Sequence, residues 1–379
     1  MKKKVSILII VIVAVALCAF AVVRIGGELS LHGARRAWSI ISSGAVDAAY
    51  TLEPGLSEVF ADVDKTLIAA GGSGFAAYGT DGREIARVGF SMKSPTVSAS
   101  SQLAAVYDLG SHTVRVVYPN GAISEIATAG EITSVFVGRG STITGRGGHL
   151  AICTAEASEY KGLVSFYEVR SGIPTLIYKW FSGEGYVLGA AIDESGKRFA
   201  VNTFTPRGGR IVFLNADSED IAAEYICNSG AILDITFDKS GALISRTLDG
   251  IIILDRTGAE TSKIDFEGRT IDGYATDGDG FIAIHFTAGV DSTGALVTYN
   301  VKGVELGRLE TSRRLFSLTT SGNRVAVLWN DGLDIFDRNL RLVASYPDAS
   351  GMRYAFPRGG ESAVVTGGRN GRSFAKQST

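Results

Sequence analysis

Phe237-Asp238-Lys239-Ser240-Gly241-Ala242-Leu243-Ile244-Ser245-Arg246-Thr247-Leu248-Asp249-Gly250-Ile251-Ile252-Ile253-Leu254-Asp255-Arg256-Thr257-Gly258 holds three tight-turn signals, Ser240-Gly241, Asp249-Gly250 and Thr257-Gly258. Short aliphatic runs separate them: Leu243 and Ile244 on one side of Asp249-Gly250, Ile251 to Leu254 on the other. A turn glycine accepts the positive φ that a tight hairpin needs, so the stretch reads as consecutive antiparallel strands. The last of the three turns has counterparts at Asp81-Gly82, Asn120-Gly121, Ser171-Gly172, Ala216-Asp217, Lys302-Gly303 and Arg338-Asn339, spaced about 43 residues apart.

A strand-rich repeat of that period is the mark of a β-propeller. One four-stranded repeat cannot bury both of its faces alone, so the blades must stack around an axis. The first hairpin turn of the repeat recurs eight times, at Asp64-Lys65, Ser100-Ser101, Gly147-Gly148, Ser195-Gly196, Ser240-Gly241, Asp279-Gly280, Gly322-Asn323 and Gly359-Gly360. The second also recurs eight times, from Gly72-Ser73 to Arg369 to Gly371, whereas the third occurs seven times. The chain therefore stops one strand short of an eighth blade. Val46-Asp47-Ala48-Ala49-Tyr50-Thr51-Leu52, strand-like and ahead of the first repeat, is expected to supply it. The fold class is all-β, an eight-bladed propeller closed by an N-terminal strand; seven blades with a loose C-terminal hairpin is the alternative.

Composition agrees with many short strands: Gly occurs 47 times and Pro only 7 times in 379 residues. Val5 to Val23 is an uncharged run after Lys2, Lys3 and Lys4, long enough to cross about 30 Å of hydrocarbon. The basic tip places the N-terminus in the cytoplasm and the propeller outside. The expected organisation is a cytoplasmic tip (1–4), a transmembrane helix (5–23), a juxtamembrane linker (24–44) and the propeller (45–379). A signal peptide cleaved near Ala21, at Ala19-Phe20-Ala21, is the competing reading, and it too exports the propeller. Setting aside Lys2, Lys3, Lys4 and Arg24, 33 bases remain against 39 acids, which argues against a nucleic-acid partner.

Ile192-Asp193-Glu194-Ser195-Gly196-Lys197-Arg198-Phe199-Ala200-Val201 and Phe237 to Ile244 resemble the strand-turn-strand phrase of WD40-like and quinoprotein-like propellers. The order of basic-flanked anchor, divergent blades and the ending Tyr354-Ala355-Phe356-Pro357 to Ala363-Val364-Val365-Thr366 is similar to an uncharacterised family of single-pass, propeller-like proteins of Gram-positive bacteria, a domain of unknown function. That resemblance implies fold and topology and carries no catalytic residue across.

Chemistry is sparse. His32, His112, His149 and His285 lack ligand spacing, so no metal site is expected. Asp277-Gly278-Asp279-Gly280 opens like a calcium loop but runs into Phe281-Ile282-Ala283-Ile284, a strand, and reads as a hairpin turn. The glycine-rich stretch Gly138 to Gly148 has no Gly-Lys-Ser/Thr ending and reads as a turn between strands. Cys153 and Cys227 are read as buried thiols without a disulfide framework. Only Trp38, Trp180 and Trp329 are present, against the tryptophan-rich docking motifs that quinoprotein enzymes share, so no cofactor and no catalytic residue are assigned.

The second hairpin turns and the links between blades share one face of a propeller. Here that face carries the longest expected loops, Ala155 to Gly162, Thr205 to Gly209 and Thr287 to Gly294, and the aromatic link Trp180 to Tyr186. Tyr160, Trp180, Phe181, Tyr186 and Arg207 are the candidate partner-binding residues, because loops on a rigid scaffold carry binding and aromatics with Arg are enriched in hot spots. The competing role for Trp180 and Phe181 is packing between blades. The reading is a non-catalytic scaffold or envelope assembly factor, anchored in the cytoplasmic membrane through residues 5–23, with an envelope protein or glycan as partner. Its alternatives are a carbohydrate-binding or ligand-sensing propeller and a quinoprotein-like enzyme.

Overall fold

Asp255 caps its own turn. Its Oδ1 accepts from Thr257 N at 2.7 Å and Ala259 N at 3.1 Å, while Gly258 takes the left-handed conformation at φ +80°. Asp238, Asn300 and Asp337 repeat the device, each accepting from the N–H groups two and four residues on. An acidic or amide side chain thus satisfies amides that the tight loop leaves unpaired. After Asp337 the left-handed residue is Leu340.

The computed structural model describes residues 46–138, 147–155, 159–228, 230–276, 280–287 and 293–375. Their strands form eight four-stranded antiparallel sheets. Seven are consecutive in sequence: blade 1 (59–89), blade 2 (95–127), blade 3 (132–181), blade 4 (186–227), blade 5 (234–265), blade 6 (271–311) and blade 7 (315–346). Blade 8 joins the last three strands (354–374) to Val46–Thr51, which pairs antiparallel with Asn370–Phe374. The expected closure is what the structure holds, and the seven-bladed alternative falls.

Stacking supplies the core. Among the described residues eight buried apolar clusters occur, each drawn mainly from two neighbouring blades, such as Ile251, Ile253 and Phe266 of blade 5 with Ile282, Ile284 and Phe286 of blade 6. The cluster of Tyr50, Leu52, Leu56, Leu67, Ala69, Tyr78 and Val364 joins blade 8 to blade 1 and completes the ring. Polar staples reinforce the apolar contacts: Thr66 Oγ1 donates to Pro119 O at 2.7 Å, and Thr298 Oγ1 to Arg338 O at 2.7 Å.

Two expected turns need correction. Gly147 and Gly148 stand in the strand Gly147–Thr154, opposite Arg170 and Val169. Gly148 is small for a packing reason: a Cβ there would lie 2.4 Å from Leu103 Cδ2 of blade 2. Gly138 likewise ends a strand, Ile132–Gly138, and residues 139–146 between the two strands lie outside the described residues. Thr205 to Gly209 is not a long loop. Strands Arg198–Thr205 and Gly208–Asn215 leave only Pro206 and Arg207 between them, closed by Thr205 Oγ1 donating to Gly208 O at 3.0 Å.

The expected tip (1–4), membrane span (5–23) and linker (24–44), His32, Asp277 to Asp279 and most of the loop from Ala288 lie outside the described residues. Among the described residues no helix is long and apolar enough to cross a membrane. Cys153 and Cys227 are both free and buried, as their strand settings suggested.

Candidate functional site

The link between blades 3 and 4 is fixed by a buried hydroxyl. Ser182, fully buried, donates through Oγ toward Glu184 O at 3.1 Å and Gly185 O at 2.6 Å. Its backbone exchanges bonds with the neighbouring turn, Lys161 N to Ser182 O at 2.7 Å and Ser182 N to Gly162 O at 2.9 Å. Gly185 sits at φ +87°, and a Cβ there would lie 2.8 Å from Phe204 O.

This frame brings four of the five candidate residues to one surface. Tyr160 and Phe181 pack ring to ring, centroids 4.9 Å apart. Tyr186 opens the first strand of blade 4, 59% exposed, with Lys161 Nζ 5.6 Å above its ring. Arg207 crosses the face to Glu184 Oε1 at 3.2 Å, and the same carboxylate comes within 4.0 Å of Arg210, whose own partner is Glu224. Trp180 does not join them. It pairs with Val164 in the strand Ile173–Phe181 and packs, half-buried, on the cluster of blades 3 and 4 that contains Phe166 and Phe199. Successive strand residues point to opposite faces, so Phe181 is presented while Trp180 packs.

Sequence reasoning missed Phe204, cross-strand partner of Tyr186 and 43% exposed, and Leu188, 42% exposed. Phe204 ends a run that reads as core. Leu188 is a bulge residue: the register passes from Val187 opposite Thr203 to Gly189 opposite Asn202. The innermost strands of blades 3, 6 and 7 carry the same irregularity at Thr133, Asp272 and Phe316, all exposed. A bulge leaves its extra residue unpaired and re-aims it, here at the start of the strands nearest the axis. Tyr160, Phe181, Tyr186, Leu188 and Phe204 together make an apolar surface of the kind that marks an interaction site.

The buried histidines of the described residues are not part of that surface. His285 Nδ1 meets Asp272 Oδ1 at 2.5 Å, but its Nε2 is buried without a partner and the ring packs edge-on against Trp329. His149 is also buried, in the middle of blade 3. Among the described residues no three His, Cys, Asp or Glu side chains converge as metal ligands.

A family of unknown function, DUF5711, is matched by residues 44–371. The chain belongs to that family. Its match runs from just before the closing strand into the last strand of blade 8. No curated protein matches the chain. Solved structures are similar in fold: the C-terminal WD40 domain of Sif2 (15% identity, TM-score 0.61, 88% of this chain and 100% of that one); Sqt1 of Chaetomium thermophilum bound to the N-terminus of the ribosomal protein L10 (12%, 0.60, 87% and 99%); and BamB from Moraxella catarrhalis (12%, 0.52, 87% and 99%). At such identities the likeness is one of fold, and this DUF5711 member has WD40-like and BamB-like neighbours without inheriting their partners.

Proposed function

We propose that the protein is a non-catalytic interaction scaffold of the cell envelope, tethered to the cytoplasmic membrane by residues 5–23 and displaying its propeller outside. The observation that carries the reading is the exposed set Tyr160, Phe181, Tyr186 and Phe204 on a link held rigid by Ser182 and Gly185. A preordered aromatic surface binds without the cost of ordering a mobile loop. Sqt1 with its bound L10 N-terminus is one propeller that holds a protein segment.

Topology gives the proposal a direction. Val46 pairs with Phe374, whereas Thr51 pairs with Asn370, beside the turn at Gly368 and Arg369. The closing strand thus starts at the end of the ring opposite the second hairpin turns. A tether reaching Val46 from the membrane would leave the aromatic surface facing away from the bilayer, toward wall or partner.

The test is cross-linking of intact cells and affinity capture of the tagged full-length chain, wild type against Tyr160→Ala/Tyr186→Ala. A membrane or wall protein recovered with the wild type and lost from the variant supports the scaffold. Equal recovery removes this surface from the account. Protection of Tyr186 by soluble wall glycan, without a protein partner, would favour the carbohydrate-binding alternative.

A further inference from the structure

Across the ring from that surface, the innermost strands of blades 7, 8 and 1 begin with aromatics. Phe316 is 42% exposed and Tyr354 36%. Ala355 N donates to Ser317 Oγ at 3.3 Å and Thr319 Oγ1 donates to Ala355 O at 2.6 Å, which sets Phe316 and Tyr354, the preceding residues, on adjoining strands. The Tyr354 ring lies 5.3 Å from that of Phe60. An apolar strip therefore crosses two blade boundaries, including the closing seam.

Arginines flank it. Arg314, exposed, reaches 5.6 Å over the Phe316 ring, and Arg353, exposed, immediately precedes Tyr354. Arg369, in the second hairpin turn of blade 8, adds an exposed guanidinium on the same face. None of the three has a carboxylate in ion-pair range among the described residues, whereas their neighbour Arg313 is held by Asp331 and Asp334. The acids of this sector are Asp348, Asp272, which is hydrogen-bonded to His285, and Glu58, whose Oε1 accepts from Gly72 N at 2.9 Å. Elsewhere the surface arginines mostly meet their own acids, as Arg87 does with Glu84 and Glu53, and Arg308 with Glu305.

We propose that this collar binds an acidic peptide segment of a partner protein that carries aromatic or leucine side chains among its carboxylates. The strip takes the apolar side chains, and the guanidiniums take the carboxylates in the bidentate geometry that Arg favours. A strip shared by three strands suits an extended segment better than a single small anion, and aromatics beside Arg are the usual anchors of such contacts. The proposal stands apart from the Tyr160 to Tyr186 surface, which lies on blades 3 and 4.

Fluorescence anisotropy on the solubilised full chain tests it, with a labelled peptide alternating Glu with Phe and Leu, the same peptide with Lys in place of Glu, and poly-Glu. The Glu/Phe/Leu peptide should bind, the Lys peptide should not, and poly-Glu should bind more weakly by about tenfold or more. Arg314→Glu/Arg353→Glu and, separately, Phe316→Ser should each weaken binding by about tenfold or more, while Tyr160→Ala/Tyr186→Ala leaves it unchanged. No binding of the Glu/Phe/Leu peptide, equal binding of the Lys peptide or of poly-Glu, or full affinity in the collar variants overturns the proposal.

Discussion

Arg358 and Asp62 are separated by 296 residues of chain, and Arg358 NH2 lies 2.6 Å from Asp62 Oδ1. The guanidinium also donates from Nε to both carboxylate oxygens, at 3.1 and 3.2 Å, and from NH1 to Tyr50 Oη at 2.8 Å. Asp62 belongs to blade 1, Arg358 to blade 8 and Tyr50 to the strand that closes blade 8, so one buried pair ties the two ends of the ring. Its side chains are only 6% and 9% exposed.

A buried pair costs desolvation, and removing one partner strands the other charge. Arg358→Met should cost about 3–5 kcal/mol. Asp62→Leu/Arg358→Met should be less destabilised than the sum of the single variants. Urea unfolding of the four proteins in a double-mutant cycle checks this, and an additive result would remove the coupling.

The same pair sets a pH dependence. Burial pushes the Asp62 carboxyl above its ordinary value, with the Arg358 guanidinium opposing the shift. A carboxyl raised in the folded state contributes most below its unfolded value, and that contribution is lost as pH rises through the folded one. Without Arg358 the carboxyl must rise further. The stability gap between wild type and Arg358→Met should therefore narrow as pH falls from 7 toward about 4, the ordinary carboxylate range. Thermal melts across that window read the sign, and a widening gap would contradict it.

Deleting residues 46–52 removes Tyr50, 2% exposed in the closing cluster, and leaves the edge of Asn370–Phe374 unpaired. Such an edge templates association. The truncated chain should melt at lower temperature and form oligomers by size-exclusion chromatography; an unchanged monomer would contradict the closure.

Gly183 and Gly185 separate packing from flexibility in the candidate site. Gly185→Ala should cost about 1–3 kcal/mol, since its φ of +87° and its contact with Phe204 O both resist a side chain. Gly183 has open space around it, and Gly183→Ala should stay within about 0.5 kcal/mol. Comparable losses in denaturant melts of the two variants would rule out the rigid link.

Burial pushes the Cys153 thiol up to about 12. It should remain unlabelled by maleimide in the folded protein at neutral pH and react on unfolding in urea, by peptide mass spectrometry. Rapid native labelling would contradict its buried place in blade 3.

The architecture was legible because turn chemistry is local. Asp255 with Gly258, or Asn300 with Gly303, announces a hairpin within five residues, and seven such turns against eight of each of the other two pointed to Val46–Thr51 as the missing strand. Arg358 with Asp62 was not legible, since their contact depends on the ring having closed. Nor were the bulges that expose Leu188 and Phe316, which interrupt runs whose alternation looks regular. Trp180 and Phe181 are neighbours with opposite fates, and only strand phase separates the packing residue from the exposed one. Thr205 to Gly209 misled as a loop because Pro206 and the following Gly208 and Gly209 suit a two-residue turn as well as a longer one.

The most direct measurement is site-specific photocross-linking in native cells, with the photoreactive residue placed at Tyr186 in one strain and at Val304 in another. Both positions are exposed, at 59% and 57%, and they lie at opposite ends of the ring. A discrete adduct from Tyr186 and none from Val304 is the predicted result. Adducts from Val304 alone, or the same adducts from both, would contradict the account of where this propeller meets its partner.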